Sequence, residues 1–481
     1  MEVAPHARRP EAAERWLQIA TFTLLTLAAA AQLMAPPPAP VDDQGTRPPS
    51  AEVELQGRYL LGLHTLGAGG GPQLSQGLDA LLDAANSPPE RLRLTALAVA
   101  IGNREWAEAR IDEARVAIAD GELSAAAVAP FERLIAPEVP APGVPDIEGV
   151  ASGQPIPGDI AATLAEEHGW FGELTTALAR GESQAVRSAA LRTAAALFGL
   201  AILGLAVLAA GTGLSVFAYS KWRSGALSSG YRRDTETGDA GPIDPSPDGW
   251  PGAAGGEDRT PYLETVLLAI IGLQVLGAVA VIAMGGIDSA TSSRWPLLIN
   301  WLLLPVLMWP LARGHSRPSF TSAIGWHRGR GPLVEIGCGL LGYVSAAPLL
   351  IFGFLCSAFV ASFLDTPPHH PILDWVQGAG WLELALVVSV AVLWAPVVEE
   401  SLFRGVFYHY LRGRSGPVLS ALVVSLAFAA IHPQGWAGIP FLISLAVTLA
   451  LVREWRGSLI APMTVHLVHN GLVMTLLLTI S

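Results

Sequence analysis

The chain alternates between long apolar runs almost free of charge and shorter polar stretches. Runs of about 15 to 29 residues fall at 16–34, 193–219, 265–287, 295–312, 336–364, 381–404, 417–431, 437–452 and 459–480. Crossing the hydrocarbon of a bilayer takes roughly 20 residues of helix, fewer where the flanks are amphipathic. The pattern therefore predicts about nine membrane-spanning helices. Between the first two runs the spacing changes: Leu55-Tyr59-Leu60-Leu63, Leu78-Leu81-Leu82 and Ala107-Ile111-Ala114-Ile118 recur at helical intervals. Short amphipathic helices around a small core are expected there, broken at Pro88-Pro89 and in the Pro-rich region 137–157 into two or three hairpins.

The expected fold is all-α: a polytopic helical membrane protein carrying a small α-helical extracytoplasmic domain. Four segments follow: a cytoplasmic N-terminus and first anchor (1–40), an acidic helical domain (41–190), a second span with a Gly-, Asp-, Pro- and Ser-rich linker (191–262), and a membrane domain (263–481). The first run could instead be a signal peptide, since Arg8, Arg9 and Arg15 precede it. An uncleaved anchor is the preferred reading. The apolar core is long, and Pro36-Pro37-Pro38 offers no small-x-small cleavage site.

Composition supports the membrane assignment, because hydrophobic residues make up 51%, charged residues 15%, and mean hydropathy is +0.43. So little charge cannot cover a soluble protein of 481 residues, whereas lipid accepts an apolar exterior. Disorder is excluded by the same numbers, and a disulfide scaffold by the presence of only Cys338 and Cys356. The net charge of −12 has one source: residues 42–187 hold 22 Asp/Glu against 10 Arg. No basic face suits nucleic acid. Cations of the short loops fall on one side, with 16 in alternate loops and Arg294 alone in the others. Because Lys and Arg resist translocation, this asymmetry predicts a cytoplasmic N-terminus, an extracytoplasmic 41–190 segment and residence in the cell membrane.

Ionisable groups inside membrane helices are costly, so they mark function or tight pairing. They cluster near the C-terminus as Glu399-Glu400-x-x-x-Arg404, Phe428-x-x-x-His432 and His466-x-x-His469-Asn470. On a helix Glu400 and Arg404 are neighbours that can pair, whereas Glu399 is rotated by about 100° and lacks that partner. Glu399 is thus the freer carboxylate and the candidate general base. Depth agrees. From the predicted hairpin tip at Arg412–Gly416, Glu399 and His432 lie about 20 and 24 Å along their helices, and His466 about 15 Å from Arg456. A carboxylate, two imidazoles and the Asn470 amide can therefore meet inside the bilayer, where only an enclosed polar cavity would tolerate them.

These three motifs, in this order on successive apolar segments, resemble the CPBP family over about 330–481. That family includes the type II CAAX prenyl endopeptidases and the bacterial bacteriocin-processing and immunity proteins called Abi. The resemblance implies an intramembrane endopeptidase, a hydrolase of membrane-associated peptide or protein substrates. It also implies roles: Glu399 and His432 activate a water, His466 and Asn470 support the site and stabilise the oxyanion, and Glu400, Arg404 and Phe428 stand behind them. Family members are often described as metalloproteases, and Glu399, His432 and His466 form a candidate zinc set with an open water position. A metal-free glutamate mechanism is preferred, since no His-Glu-x-x-His helix is present. Two features depart from the family: the 41–190 segment with the first two spans, and Pro433, which follows His432 where a second His could stand.

Bland readings compete at each position. The Glu399, Glu400 and Arg404 group could be a salt-bridge cluster that only fastens helices, and His469 reads as packing or pocket lining. Trp295, Trp301, Trp381 and Trp436 near span ends read as interfacial anchors. Other protease classes fit poorly: the one Gly-x-Ser-Gly, Gly413-Arg414-Ser415-Gly416, falls in the polar hairpin tip outside the apolar runs, and no Gly-x-Gly-Asp pairing occurs. A proton-coupled transporter would show internal repeats, and no second Glu-Glu-x-x-x-Arg occurs. A non-catalytic scaffold or immunity-type protein of the same fold is the principal alternative.

Overall fold

A backbone in hydrocarbon must satisfy its own polar groups, and all regular structure described in this chain is helical. The computed structural model describes residues 12–33, 51–135 (without 69 and 86), 156–230 (without 228), 258–283, 295–364, 372 and 380–480 (without 433). Arg8, Arg9, Arg232, Arg233, Arg294, Pro36–Pro38, most of the 137–157 region and linker residues 231–257 lie outside the described residues, as does the side chain of Trp295. The chain divides into two units, one of Met1–Pro36 with Ala206–Thr479, the other Pro37–Leu205.

The second unit contains α2 (Ala51–Thr65), α3 (Gly71–Asp83), α4 (Pro88–Ala100), α5 (Arg104–Ala119), α6 (Ala125–Ile135), α7 (Gly158–His168), α8 (Trp170–Ala179) and the first part of α9 (Gln184–Arg223). Local chemistry sets several boundaries. Pro88 and Pro89 open α4 where a missing N–H costs nothing, and the Asn103 side chain caps α5 by accepting from the Trp106 N–H. Leu78, Leu81, Ala107, Ile111 and Ala114 are buried in one core with Phe131, Phe171 and Leu174. In α2 the expected stripe is rotated: Tyr59 is exposed and the buried face is Gly57, Leu60 and Leu61. The glycines are the reason. A Cβ on Gly57 would stand 2.9 Å from the Phe171 ring, and one on Gly62 would stand 2.4 Å from the Ala190 carbonyl oxygen. The helix therefore packs through its bare backbone rather than through its widest apolar stripe.

The membrane unit contains α1 (Ala12–Leu33), the rest of α9, α10 (Thr260–Ala283), a 3₁₀ run Trp295–Met308 continued by α11 (Trp309–Ala312), α12 (Arg317–Ile324), α13 (Pro332–Ser345) and α14 (Ala347–Leu364). Four more helices complete it: α15 (Trp381–Arg412), α16 (Pro417–Ala430), α17 (Gly435–Arg456) and α18 (Ile460–Ile480). Among the described residues five helices are long and apolar enough to cross a bilayer, and a sixth span arises if α13 and α14, bent by 48°, act as one. The sequence pattern had nine. Helix α16 has 14 residues, about 21 Å of rise against roughly 30 Å of hydrocarbon, and the apolar helix Trp301–Ala312 is shorter still. Inside the unit α17 packs against both α14 and α16, and Gly353 permits the first contact, since a Cβ there would stand 2.2 Å from Ser444 Oγ.

Candidate active site

The Glu399-Glu400 pair sits in a short α-helical stretch, Ala395–Glu400, between two π-helical segments of α15, Val390–Trp394 and Ser401–Phe407. Such wide turns recur at functional sites because they redirect side chains and free carbonyls. The first has a visible cause. Ala395 donates its N–H to the Val390 carbonyl rather than to Ala391, and the next residue, Pro396, has no N–H to give. The Ala391 carbonyl thus loses both helical donors. Asn470 of α18 replaces them, donating from Nδ2 at 2.8 Å.

Glu400 and Arg404 are both fully buried and pair at 3.1 Å. The same carboxylate oxygen, Oε1, accepts from His466 Nδ1 at 2.8 Å. Arg404 also donates to the Ala446 carbonyl of α17 at 3.1 Å and lies 4.5 Å from the Phe428 ring centroid. A charge this deep is tolerable only because a carboxylate, a carbonyl and an aromatic face surround it.

Glu399 points elsewhere, as its rotation on the helix requires. Its side chain is 21% exposed, and Oε2 faces His432 Nε2 at 3.7 Å and His466 Nε2 at 3.9 Å. Oε2 has no hydrogen-bond partner among the described residues. Both imidazoles are fixed from behind. His432 Nδ1 is 2.5 Å from the Phe428 carbonyl, an obligatory acceptor, and the two rings lie 4.2 Å apart. Acceptors at both Nδ1 atoms place a proton there and turn both Nε2 atoms towards one carboxylate oxygen.

Not every motif residue joins this group. Asn470 is bonded to the backbone of α15 and retains a second amide N–H, whereas His469 turns to Tyr343 Oη at 3.2 Å and the Phe441 ring at 5.5 Å. The candidate zinc set of Glu399, His432 and His466 supplies suitable donors. Two ligands of one tetrahedral zinc would lie about 3.3 Å apart, closer than these contacts. Among the described residues no group of three His, Cys, Asp or Glu is arranged to hold a metal.

Two supporting residues escaped the sequence pattern. Ser401 Oγ donates to the Val397 carbonyl and accepts from Trp326 Nε1 at 2.8 Å, tying the second π-segment to a loop 75 positions away. Arg453, expected among loop cations, is 1% exposed and donates from Nε to the Arg404 carbonyl, from Nη2 to Ala323 and from Nη1 to Gly457. Its neighbour Arg456 is likewise engaged, with Glu335 at 2.7 Å.

Residues 381–472 match the Rce1-like family, described as type II CAAX prenyl endopeptidase Rce1-like. The Rce1-like stretch is narrower than 330–481, yet it contains every residue of the three motifs and both π-segments. No curated protein and no solved structure matches the chain. The apolar helices make this a multi-pass membrane protein, and its residues 381–472 resemble the type II CAAX prenyl endopeptidases.

Proposed function

We propose that the chain is an intramembrane endopeptidase whose base is Glu399. The observation that carries the reading is the convergence of two imidazole Nε2 atoms on Glu399 Oε2, each imidazole held by its own Nδ1. A water donating one proton to Oε2 and the other to His432 Nε2 is oriented with an oxygen lone pair towards a scissile carbonyl. As the oxygen attacks, Glu399 takes the proton and then returns it to the leaving amine. The second amide N–H of Asn470, one helical turn from His466 on α18, is assigned to the oxyanion, and His466 keeps the second polar edge in place. Glu400 and Arg404 fix His466 and balance the buried charge. The substrate is a membrane-associated peptide or protein reaching the site from the lipid or the cytoplasmic side.

The cation asymmetry supports a cytoplasmic N-terminus, an extracytoplasmic 41–190 segment and nine passes, with the apolar segment Trp295–Ala312 and α16 crossing as short spans between longer ones. A retained first anchor fits contacts made by α1: Gln18 Nε2 donates to Tyr410 Oη at 2.6 Å, and Glu14 pairs with Arg414. The decisive experiment compares new peptide termini in membranes of cells expressing wild type, Glu399→Gln and His432→Ala at equal abundance. Termini unique to wild type support proteolysis. Identical profiles from all three would transfer the case to a non-catalytic scaffold.

A further inference from the structure

Residues 313–331 link α11 to α13 and hold four arginines and no carboxylate. One side of this strap grips the glutamate-bearing helix and the turn beside it. Phe320 and Ile324 are buried, Trp326 Nε1 donates to Ser401 Oγ, and a Cβ on Gly405 would stand 3.2 Å from the Ile324 Cβ. The Gly325 carbonyl accepts from the Leu459 N–H at 2.9 Å, and the His327 carbonyl from Ser458 Oγ at 2.8 Å. Anything that steadies the strap therefore steadies the second π-segment of α15.

The other side is bare and positive. Arg317, Arg328 and Arg330 are exposed, and no ion pair to any of them is present among the described residues. Nearby carboxylates are already engaged, Glu264 by Arg313 at 2.9 Å and Glu335 by Arg456 at 2.7 Å. The strap's height relative to a bilayer follows from its ends. It leaves the apolar helix Trp301–Ala312 and enters the α13–α14 candidate span, whose first turn exposes Leu333 and Val334. A segment so bracketed lies at the membrane boundary, where guanidinium groups meet headgroup phosphates.

We propose that the outer face of 313–331 docks on an anionic bilayer surface and that this docking steadies the Glu399-bearing helix. Orientation by the positive-inside effect requires only charge at this level. The inward grip on Ser401 and Gly405 is what adds control of the site.

The full chain is placed in phosphatidylcholine vesicles with and without phosphatidylglycerol, and hydrogen exchange is followed in peptides covering 313–331 and 397–410. Exchange is used rather than cleavage, so a chain that hydrolyses nothing still tests the proposal. Anionic lipid should slow exchange in both peptides for wild type and in neither for the triple variant Arg317→Gln, Arg328→Gln, Arg330→Gln. Retention of phosphatidylglycerol over phosphatidylcholine should fall about fivefold per arginine removed. Lys221→Gln with Arg223→Gln, exposed cations at the end of α9, serves as the control and should leave both peptides unchanged. Equal exchange in the two lipids, an equal effect of the control pair, or full protection by inorganic phosphate in detergent would each overturn it.

Discussion

Asn470 donates a hydrogen bond to the carbonyl of Ala391, a group that Pro396 leaves without a helical donor. Asn470 is therefore a splint for the helix that carries Glu399. Asn470→Ala should destabilise the chain by about 1 kcal/mol, since an orphaned buried carbonyl costs this much and hydrogen bonds between membrane helices contribute similar amounts. Pro396→Ala restores a backbone N–H and should make the same asparagine substitution nearly neutral for stability. Unfolding of the two single variants and the double in detergent gives the coupling energy. Additive losses would remove the splint.

Glu399 and Glu400 are adjacent, yet their substitutions should differ in kind. Glu399 Oε2 makes no hydrogen bond among the described residues, so Glu399→Gln should leave the unfolding temperature nearly unchanged while lowering turnover by about 10² to 10⁴. Glu400 holds Arg404 and His466 at once, and its loss strands a buried guanidinium. Glu400→Gln should cost about 3 to 5 kcal/mol and activity with it. Parallel melts and rate measurements separate the two. A Glu399→Gln protein as unstable as Glu400→Gln would point to a cluster that merely fastens helices.

How far this site could be read from residue order has a physical limit. The pairing of Glu400 with Arg404 and the divergence of Glu399 follow from one turn of helix. They survive because the Ala395–Glu400 stretch keeps ordinary α geometry up to the carboxylates. The wide turns on either side were not readable, because an i+5 bond leaves no periodic signature, although Pro396 was its local trace. Arg453 looked like a loop cation because it follows an apolar run, and only tertiary packing places three carbonyls around it. In α2 the stripe failed for a comparable reason. Glycine, invisible to a hydrophobic pattern, decided which face could approach its neighbours.

Acid should weaken the helical unit 37–205. His168 is 2% exposed, and burial, aided by the Arg93 guanidinium, lowers its pKa from 6.5 to about 4, against the nearby Glu167 carboxylate at 3.9 Å. Between those values the unfolded chain binds a proton that the folded chain refuses. Stability is therefore full above pH 6.5 and falls as pH drops towards 4. The loss approaches about 3 kcal/mol at the lower end. His168→Gln should flatten this dependence, whatever it does to stability at neutral pH. Limited proteolysis across the pH range, read at cleavages within 156–180, compares the two proteins. An equal acid sensitivity in both would assign it to other groups.

Arg453 tests whether backbone placement of the second π-segment limits the chemistry. Its guanidinium spans the carbonyls of Arg404, Ala323 and Gly457, an arrangement that uses nitrogens on a planar fork. A lysine keeps the charge but has one nitrogen and cannot reach all three. Arg453→Lys should therefore fold, lose about 1 to 3 kcal/mol, and exchange amide hydrogens faster in 401–407 than elsewhere in α15. Because the Arg404 side chain anchors Glu400, which in turn holds His466, kcat should fall while KM stays near its wild-type value. A lysine variant with wild-type exchange in 401–407, or with KM alone altered, would show that Arg453 serves general packing and leaves the position of Glu399 to other contacts.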